Sequence, residues 1–194
     1  MAIYIAQKED LVSEYDDSGF AKKEALPGTY EGGIRNYKCF LKAGCQVEPE
    51  MYEDKLVLFF FGKGTGYITD QKGAQYSIEE LCFYVPEFNR TPYAVHATGD
   101  MEFMMCVVDM NQWDWKVYNA SHVRLPFFRT VSKCIKYDQD CKGPHTTSWF
   151  VLTGQQLGRI MVGVVRAEGE GTTEKGHSKV HQWNYCVGNS DFSL

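Results

Sequence analysis

The sequence predicts an all-β protein whose main unit is a small barrel or sandwich. Short apolar runs recur along residues 34–110, and glycine, proline or charged residues bound each of them. The run at residues 56–61 is too short for a typical helix and has the length of a buried strand. Several such strands, separated by turn signals, are typical of a β-sandwich or β-barrel.

Other segments of the chain show the same strand pattern. They are residues 2–6, 34–41, 67–69, 81–85, 102–108, 149–152 and 159–166. Gly73 supplies the positive φ that a hairpin turn after residues 67–69 needs. Pro86 ends the strand predicted at residues 81–85. Trp113 and Trp115 are separated by one residue, as on one face of a strand, and we expect them to pack in the core. Alternatively, one faces the core and the other a pocket or a partner.

The segment from Gly44 to Gly62 resembles the first conserved motif of the cupin superfamily. In that motif a glycine and five residues precede His-x-His, a short gap, a Glu, six residues and a second glycine. Here Glu50-x-Tyr52 follows Gly44 after five residues, and six residues separate Lys55 from Gly62. The gap between Tyr52 and Lys55 is one residue shorter than usual. The resemblance implies a jelly-roll (double-stranded β-helix) barrel over residues 34–110.

This first barrel lacks the metal ligands of the family. Glu50, Tyr52 and Lys55 stand at the ligand positions of the first motif, and Tyr93, directly after a proline, stands at that of the second. The resemblance therefore implies a barrel without a metal, in which these four residues line a substrate pocket and Glu50 serves as acid or base. Alternatively, they are ordinary polar residues of the barrel rim. His96 would point away from Tyr93 in an alternating strand, as a surface or packing residue.

The first motif recurs at a constant offset of 127 residues. The matched pairs are Gly44 with Gly171, Glu50 with His177, Tyr52 with Lys179, Asp54 with His181, and Lys55 with Gln182. Repeats at a fixed offset indicate duplicated structural units. The sequence thus predicts an N-terminal strand and loop arm (1–33), a first cupin barrel (34–110), a connection (111–148) and a partial second cupin repeat (149–194).

The second repeat stops before the strands that would complete it. Either the chain is the front part of a longer two-cupin protein, or the second half is a remnant whose open sheet must be covered, because exposed edges invite association. Homodimerisation is expected from such unpaired strands and from the N-terminal strand.

The second repeat offers a candidate metal site. In a strand His177, Lys179 and His181 would share one face. The resemblance implies that His177, His181 and Gln182 hold a divalent metal such as Fe, Mn, Ni or Zn, with Tyr185 nearby as a catalytic acid or base. Alternatively, both histidines are polar strand residues without a metal.

Composition excludes some classes of function. A net charge of −5 argues against a nucleic-acid partner, and no apolar window has the length of a membrane span. Seven cysteines without a Cys-x-x-Cys motif, in a chain that opens without a secretion signal, predict free thiols and a cytoplasmic protein.

Two functions remain open from the sequence. One is a metal-dependent cupin isomerase, lyase or dioxygenase, which acts on a sugar, keto acid or organic acid through the second repeat. The other is a non-catalytic cupin that binds or senses a small molecule in its first barrel without a metal.

Overall fold

The structure, a computed structural model, describes residues 3–138, 142–169 and 179–188 of the chain. The strands in this part of the chain are β1 (Phe20–Ala25), β2 (Ile34–Leu41), β3 (Gln46–Val47), β4 (Lys55–Lys63), β5 (Gly66–Asp70), β6 (Gln75–Ile78), β7 (Cys82–Val85), β8 (Tyr93–Ala97), β9 (Met101–Asp109), β10 (Phe127–Thr130), β11 (Ile135–Tyr137), β12 (Thr146–Leu152) and β13 (Val162–Ala167). The helices are α1 (Gln112–Ala120) and α2 (Gly154–Leu157), with short 3-10 turns at Lys8–Leu11, Glu31–Gly33 and Val131–Lys133. Neither α-helix has the length and apolarity needed to cross a membrane.

Two antiparallel sheets enclose the main core. One sheet has the order β1-β2-β9-β4-β7-β10 and the other the order β3-β8-β5-β6. Both contribute buried side chains to one apolar cluster, in which the rings of Phe59, Phe61 and Phe103 lie 5.1–6.2 Å apart. The prediction of an all-β jelly-roll barrel is confirmed. The apolar run at residues 56–61 lies in β4, the central strand between β9 and β7.

The strand predicted at residues 2–6 is wrong over its described part. Residues 3–6 are not in a strand, and Ile3 and Ile5 are more than half exposed. The edge position beside β2 is taken by β1, whose Ala21 and Ala25 are buried while Lys22 is exposed. The small side chains let β1 lie against the barrel, and the charged ones suit its open edge. The homodimer stays a prediction.

Trp113 and Trp115 lie in helix α1, not in a strand. The helix begins where the Asn111 side chain accepts a hydrogen bond from the Asp114 amide at 2.9 Å, and the Asp114 carboxylate accepts one from the Asn111 amide at 3.0 Å. This reciprocal capping pair fixes the first turn and overrides the strand-like spacing. Trp115 packs on Phe88 with ring centroids 4.9 Å apart, whereas Trp113 is 56% exposed.

The outer face of the six-stranded sheet carries a second apolar core. Helix α1, helix α2 and strand β12 cover it, and Val151, Leu152 and Leu157 are buried against Leu56 and Leu58 of β4. Strand β12 pairs with β11 and β13 in a separate three-stranded sheet.

The described part of the second repeat contains β13 but no strand at residues 179–188. In this segment Trp183, Tyr185 and Val187 are half-buried while their neighbours are exposed. Tyr185 and Val187 lie next to Gly62 of β4, so the segment runs across the barrel. The strand expected to carry His181 is therefore not formed over its described residues. The division of the chain into two cupin units stays a prediction.

Candidate functional site

Tyrosine side chains gather on the inner side of the barrel. The rings of Tyr84 and Tyr93 lie 5.3 Å apart, and those of Tyr76 and Tyr84 lie 5.6 Å apart. Tyr52 packs against the same core from the loop before β4. We call Tyr52, Tyr76, Tyr84 and Tyr93 the phenol cluster. Strand alternation produces it, because β7 and β8 each turn a tyrosine inward from opposite sheets.

Tyr93 is the most deeply placed of the predicted site residues. Only 4% of its surface is exposed, and its hydroxyl has no hydrogen-bond partner among the described residues. Burial raises the pKa of Tyr93 well above its usual range, so the phenol keeps its proton and remains a hydrogen-bond donor. Tyr93 also lines a cavity of about 190 Å³, with Glu48 and Asp70 among the other lining residues.

Glu50 and Tyr52 form a pair at the rim of the barrel. The Tyr52 hydroxyl donates a hydrogen bond to Glu50 Oε2 at 2.6 Å. Burial and then this hydrogen bond raise the pKa of Tyr52. The exposed carboxylate of Glu50 thus orients a half-buried phenol that packs on the core. Tyr52 and Tyr93 thus pack on the inner side of one barrel, whereas Glu50 lies at its exposed rim. Their role in ligand binding stays a prediction.

Lys55 is held apart from this pair by a different partner. Its ammonium pairs with the carboxylate of Asp109, which lies opposite on β9, and Arg35 approaches the same carboxylate at 3.8 Å. Lys55 therefore takes part in a rim ion pair, which fits the interpretation as an ordinary rim residue better than a role in ligand binding.

Tyr185 lies on the other face of the six-stranded sheet. Lys38 Nζ donates a hydrogen bond to the Tyr185 hydroxyl at 2.7 Å and pairs with Glu102 Oε2 at 3.1 Å. Burial opposes ionisation of Glu102, but hydrogen bonds from Lys63 and Lys38 outweigh it and hold its pKa below the usual range. The structure does not bring Tyr185 to Glu50.

The predicted metal ligands are only partly described. His177 lies outside the described residues, whereas His181 and Gln182 are exposed, and Gln182 Nε2 donates to Asn184 Oδ1 at 3.1 Å. No group of three His, Cys, Asp or Glu in the described ranges is placed to hold a metal ion. In the first barrel, protonated phenols are poor ligands for a divalent metal. The described side chains do not fit a metal, and the site at His177 stays a prediction.

Elemental analysis of the chain purified without a histidine tag checks that prediction. About one equivalent of Fe, Mn, Ni or Zn per chain, lost when His177 and His181 are both replaced by alanine, is the outcome the ligand assignment requires. Metal retained in the double variant would contradict the assignment.

Sequence reasoning missed four residues of these sites: Tyr76, Tyr84, Lys38 and Glu102. Tyr84 lies in a wholly apolar strand and is indistinguishable there from a core residue. Its neighbours in the cluster come from another sheet, so strand order was needed to find it. Lys38 alternates with core residues along β2, so its side chain lies on the outer face of the sheet. Its partner Glu102 lies far away in sequence, and no local pattern indicates the pair.

No protein-family model and no curated protein matches the sequence, whereas several solved structures are similar to this chain. A glyoxylate-induced protein of Pseudomonas aeruginosa aligns with 70% of this chain and 50% of its own at 14% identity, with a TM-score of 0.54. Ectoine synthase from P. lautus aligns with 55% of this chain and 78% of its own at 16% identity (TM-score 0.47). An RmlC-like cupin from Desulfovibrio desulfuricans aligns with 56% of this chain and 96% of its own at 16% identity (TM-score 0.43).

These identities are low enough that the likeness concerns the fold alone. The likeness to the glyoxylate-induced protein and the two facing antiparallel sheets together define a jelly-roll barrel, the fold that the sequence resemblance to cupins implies.

Proposed function

We propose that the first barrel binds a small polar metabolite at the phenol cluster without a metal. The observation that carries this proposal is the Tyr93 hydroxyl, which is buried without a hydrogen-bond partner in the described part of the chain and belongs to a residue that lines a cavity. A buried donor without a partner costs about 1–3 kcal/mol, so such groups usually serve a ligand or an ordered water.

The surroundings favour a neutral ligand. Tyr93 offers a proton, so the ligand presents a hydroxyl or carbonyl oxygen to it. Glu48 and Asp70 line the same cavity, and Glu50 lies at the rim. Carboxylates repel an anion but accept hydrogen bonds from hydroxyl groups, and aromatic rings pack on the apolar faces of a sugar. Of the expected metabolite classes, a neutral sugar fits this site better than a keto acid or an organic acid.

Replacement of Tyr93 by phenylalanine tests the proposal. The variant loses a hydroxyl that no described residue binds, so the free energy of unfolding is expected to stay the same or rise by about 1 kcal/mol. Affinity for the sugar is expected to fall about tenfold, the effect of one lost hydrogen bond. Urea unfolding measures the first effect. Calorimetric titration of a panel of neutral monosaccharides and their sugar acids measures the second.

Tyr67→Phe is the matched control. Tyr67 lies on the same sheet but stacks on His96 with ring centroids 4.6 Å apart, on the side away from the core. His96 lies outward, as strand alternation indicated. We expect Tyr67→Phe to bind the sugar like the wild type. A clear loss of stability in Tyr93→Phe would contradict the proposal, because the hydroxyl would then have a structural partner.

A further inference from the structure

A second cavity, of about 490 Å³, lies on the outer side of the barrel. Its walls come from the residues after α1, from β10, from β11 and β12, and from α2. The six-stranded sheet separates it from the phenol cluster. Successive residues of β10 show this, because Phe127 packs in the outer core while Phe128 packs inward against Tyr76 at 5.3 Å.

Arg129 is the charged residue of this cavity. It follows Phe127 by two positions, so both side chains lie on the same face of β10. Its guanidinium lies over the Phe127 ring, 4.9 Å from the centroid, and the residue is half-buried. This contact fixes the planar group at the cavity wall.

No ion pair within the described ranges involves Arg129. Other arginines of the chain do pair with carboxylates: Arg35, Arg90, Arg159 and Arg166. The chain carries 25 acidic and 20 basic residues, so acidic partners are abundant. A half-buried guanidinium with no carboxylate partner among the described residues is therefore poised for an external anion.

The remaining walls define the rest of the ligand. No aspartate or glutamate is among the described residues that line the cavity. His122, Thr153 and Gln155 supply polar groups, while Phe150 and Val151 supply apolar surface. An apolar cavity of this size with a few polar groups is typical of a small-molecule site.

The geometry points to a second ligand site, in which this outer cavity binds a small organic monocarboxylate with an apolar or aromatic body. The guanidinium of Arg129 takes the carboxylate through two parallel hydrogen bonds, and the body lies against Phe150 and Val151. One cation matches one carboxylate, whereas a phosphate dianion would keep an uncompensated charge. The site is independent of the proposed sugar site in the barrel.

Fluorine NMR with 4-fluorobenzoate as the probe tests this inference. Line broadening that saturates with protein concentration is expected for 4-fluorobenzoate and not for 4-fluorobenzyl alcohol, its neutral counterpart. Inorganic phosphate is expected not to displace the probe at equal concentration. Arg129→Gln is expected to weaken binding about tenfold or more, as loss of a charge-assisted hydrogen-bond pair does. Arg129→Lys, which keeps the charge without the planar fork, should show a smaller loss.

Arg124→Gln is the matched control, because Arg124 is an exposed arginine in the same connection and does not line the cavity. It should bind the probe like the wild type. Equal binding of the alcohol, displacement by phosphate, or unchanged binding in a folded Arg129→Gln chain would each overturn the inference. Tyr93→Phe should leave probe binding unchanged, so that failure here and failure of the sugar site are distinguishable.

Discussion

Replacement of Arg159 by methionine is expected to lower the free energy of unfolding by about 2–3 kcal/mol. This is less than the loss of about 3–5 kcal/mol for a wholly buried ion pair, because the Arg159 side chain is 42% exposed. Its partner Asp114 is fully buried. Arg159 Nη2 donates to Asp114 Oδ2 at 2.7 Å, and the Arg159 amide donates to Oδ1 at 2.8 Å. Without the guanidinium, a carboxylate would remain in the interior without a counter-charge, and this explains the size of the effect. Urea unfolding of both chains measures it.

The pair joins helix α1 to the segment before β13. Gly158 lies directly against it, because a methyl carbon placed on Gly158 would stand 2.5 Å from Asp114 Oδ1. Arg166→Met is the control for loss of an arginine. Arg166 pairs with Glu168 at 2.6 Å, but both side chains are more than 60% exposed. An exposed pair contributes about 0–1 kcal/mol, so a loss in Arg166→Met as large as that in Arg159→Met would contradict the explanation.

The same carboxylate makes the effect depend on pH. Burial disfavours the charged form of Asp114, but hydrogen bonds from Arg159 and from backbone amides outweigh it and hold its pKa below the usual range. A lowered pKa in the folded state means that the stabilisation is complete above the pKa of the unfolded chain, about 4. The stabilisation is lost as the pH falls through the folded-state pKa. We therefore expect the difference between wild type and Arg159→Met to be full at pH 7 and to shrink below about pH 4.

The strands that bury one continuous apolar face were predictable from the sequence. Residues 56–61 and 102–108 lie in β4 and β9, which pair in register across the middle of the sheet. Strand β1 was not predictable in the same way, since its two alanines and three charged residues carry little hydrophobic signal. Helix α1 was missed because two tryptophans spaced by two residues imitate a strand, while the Asn111 cap that starts the helix is a short-range signal easily overlooked.

Only those contacts of the candidate site that join residues close together in the sequence were predictable. Glu50 and Tyr52 are two residues apart in one loop, so their pairing follows from local geometry. Tyr84 joins Tyr93 only because two sheets pack face to face, which no local pattern encodes. Tyr185 contacts Lys38 across 147 positions of sequence, and an internal repeat gives no indication of such a contact.

Replacement of Gly64 by alanine is expected to be far more destabilising than replacement of Gly73, although both glycines have a similar positive φ, +91° and +83°. The left-handed conformation costs any L-residue about 1–2 kcal/mol, so both variants lose that amount. A methyl carbon on Gly64 would also stand 2.2 Å from the carbonyl oxygen of Asp100 and 2.7 Å from Cα of Met101. On Gly73 it would meet nothing within 4 Å.

The additional loss in Gly64→Ala is expected to be about 1–3 kcal/mol or more, as for other overpacked sites, because the opposing atoms belong to the backbone and have little freedom to move. Gly64 connects β4 to β5, and thus one sheet of the barrel to the other. A shift there would alter how the two sheets face each other and so disturb the contact between Tyr84 and Tyr93. We expect Gly64→Ala, but not Gly73→Ala, to weaken sugar binding as well as stability in the urea and calorimetric measurements. Equal losses of stability and affinity in the two variants would contradict this expectation. They would show that the backbone around Gly64 moves to make room for the methyl group and that its close packing does not set the spacing of the sheets.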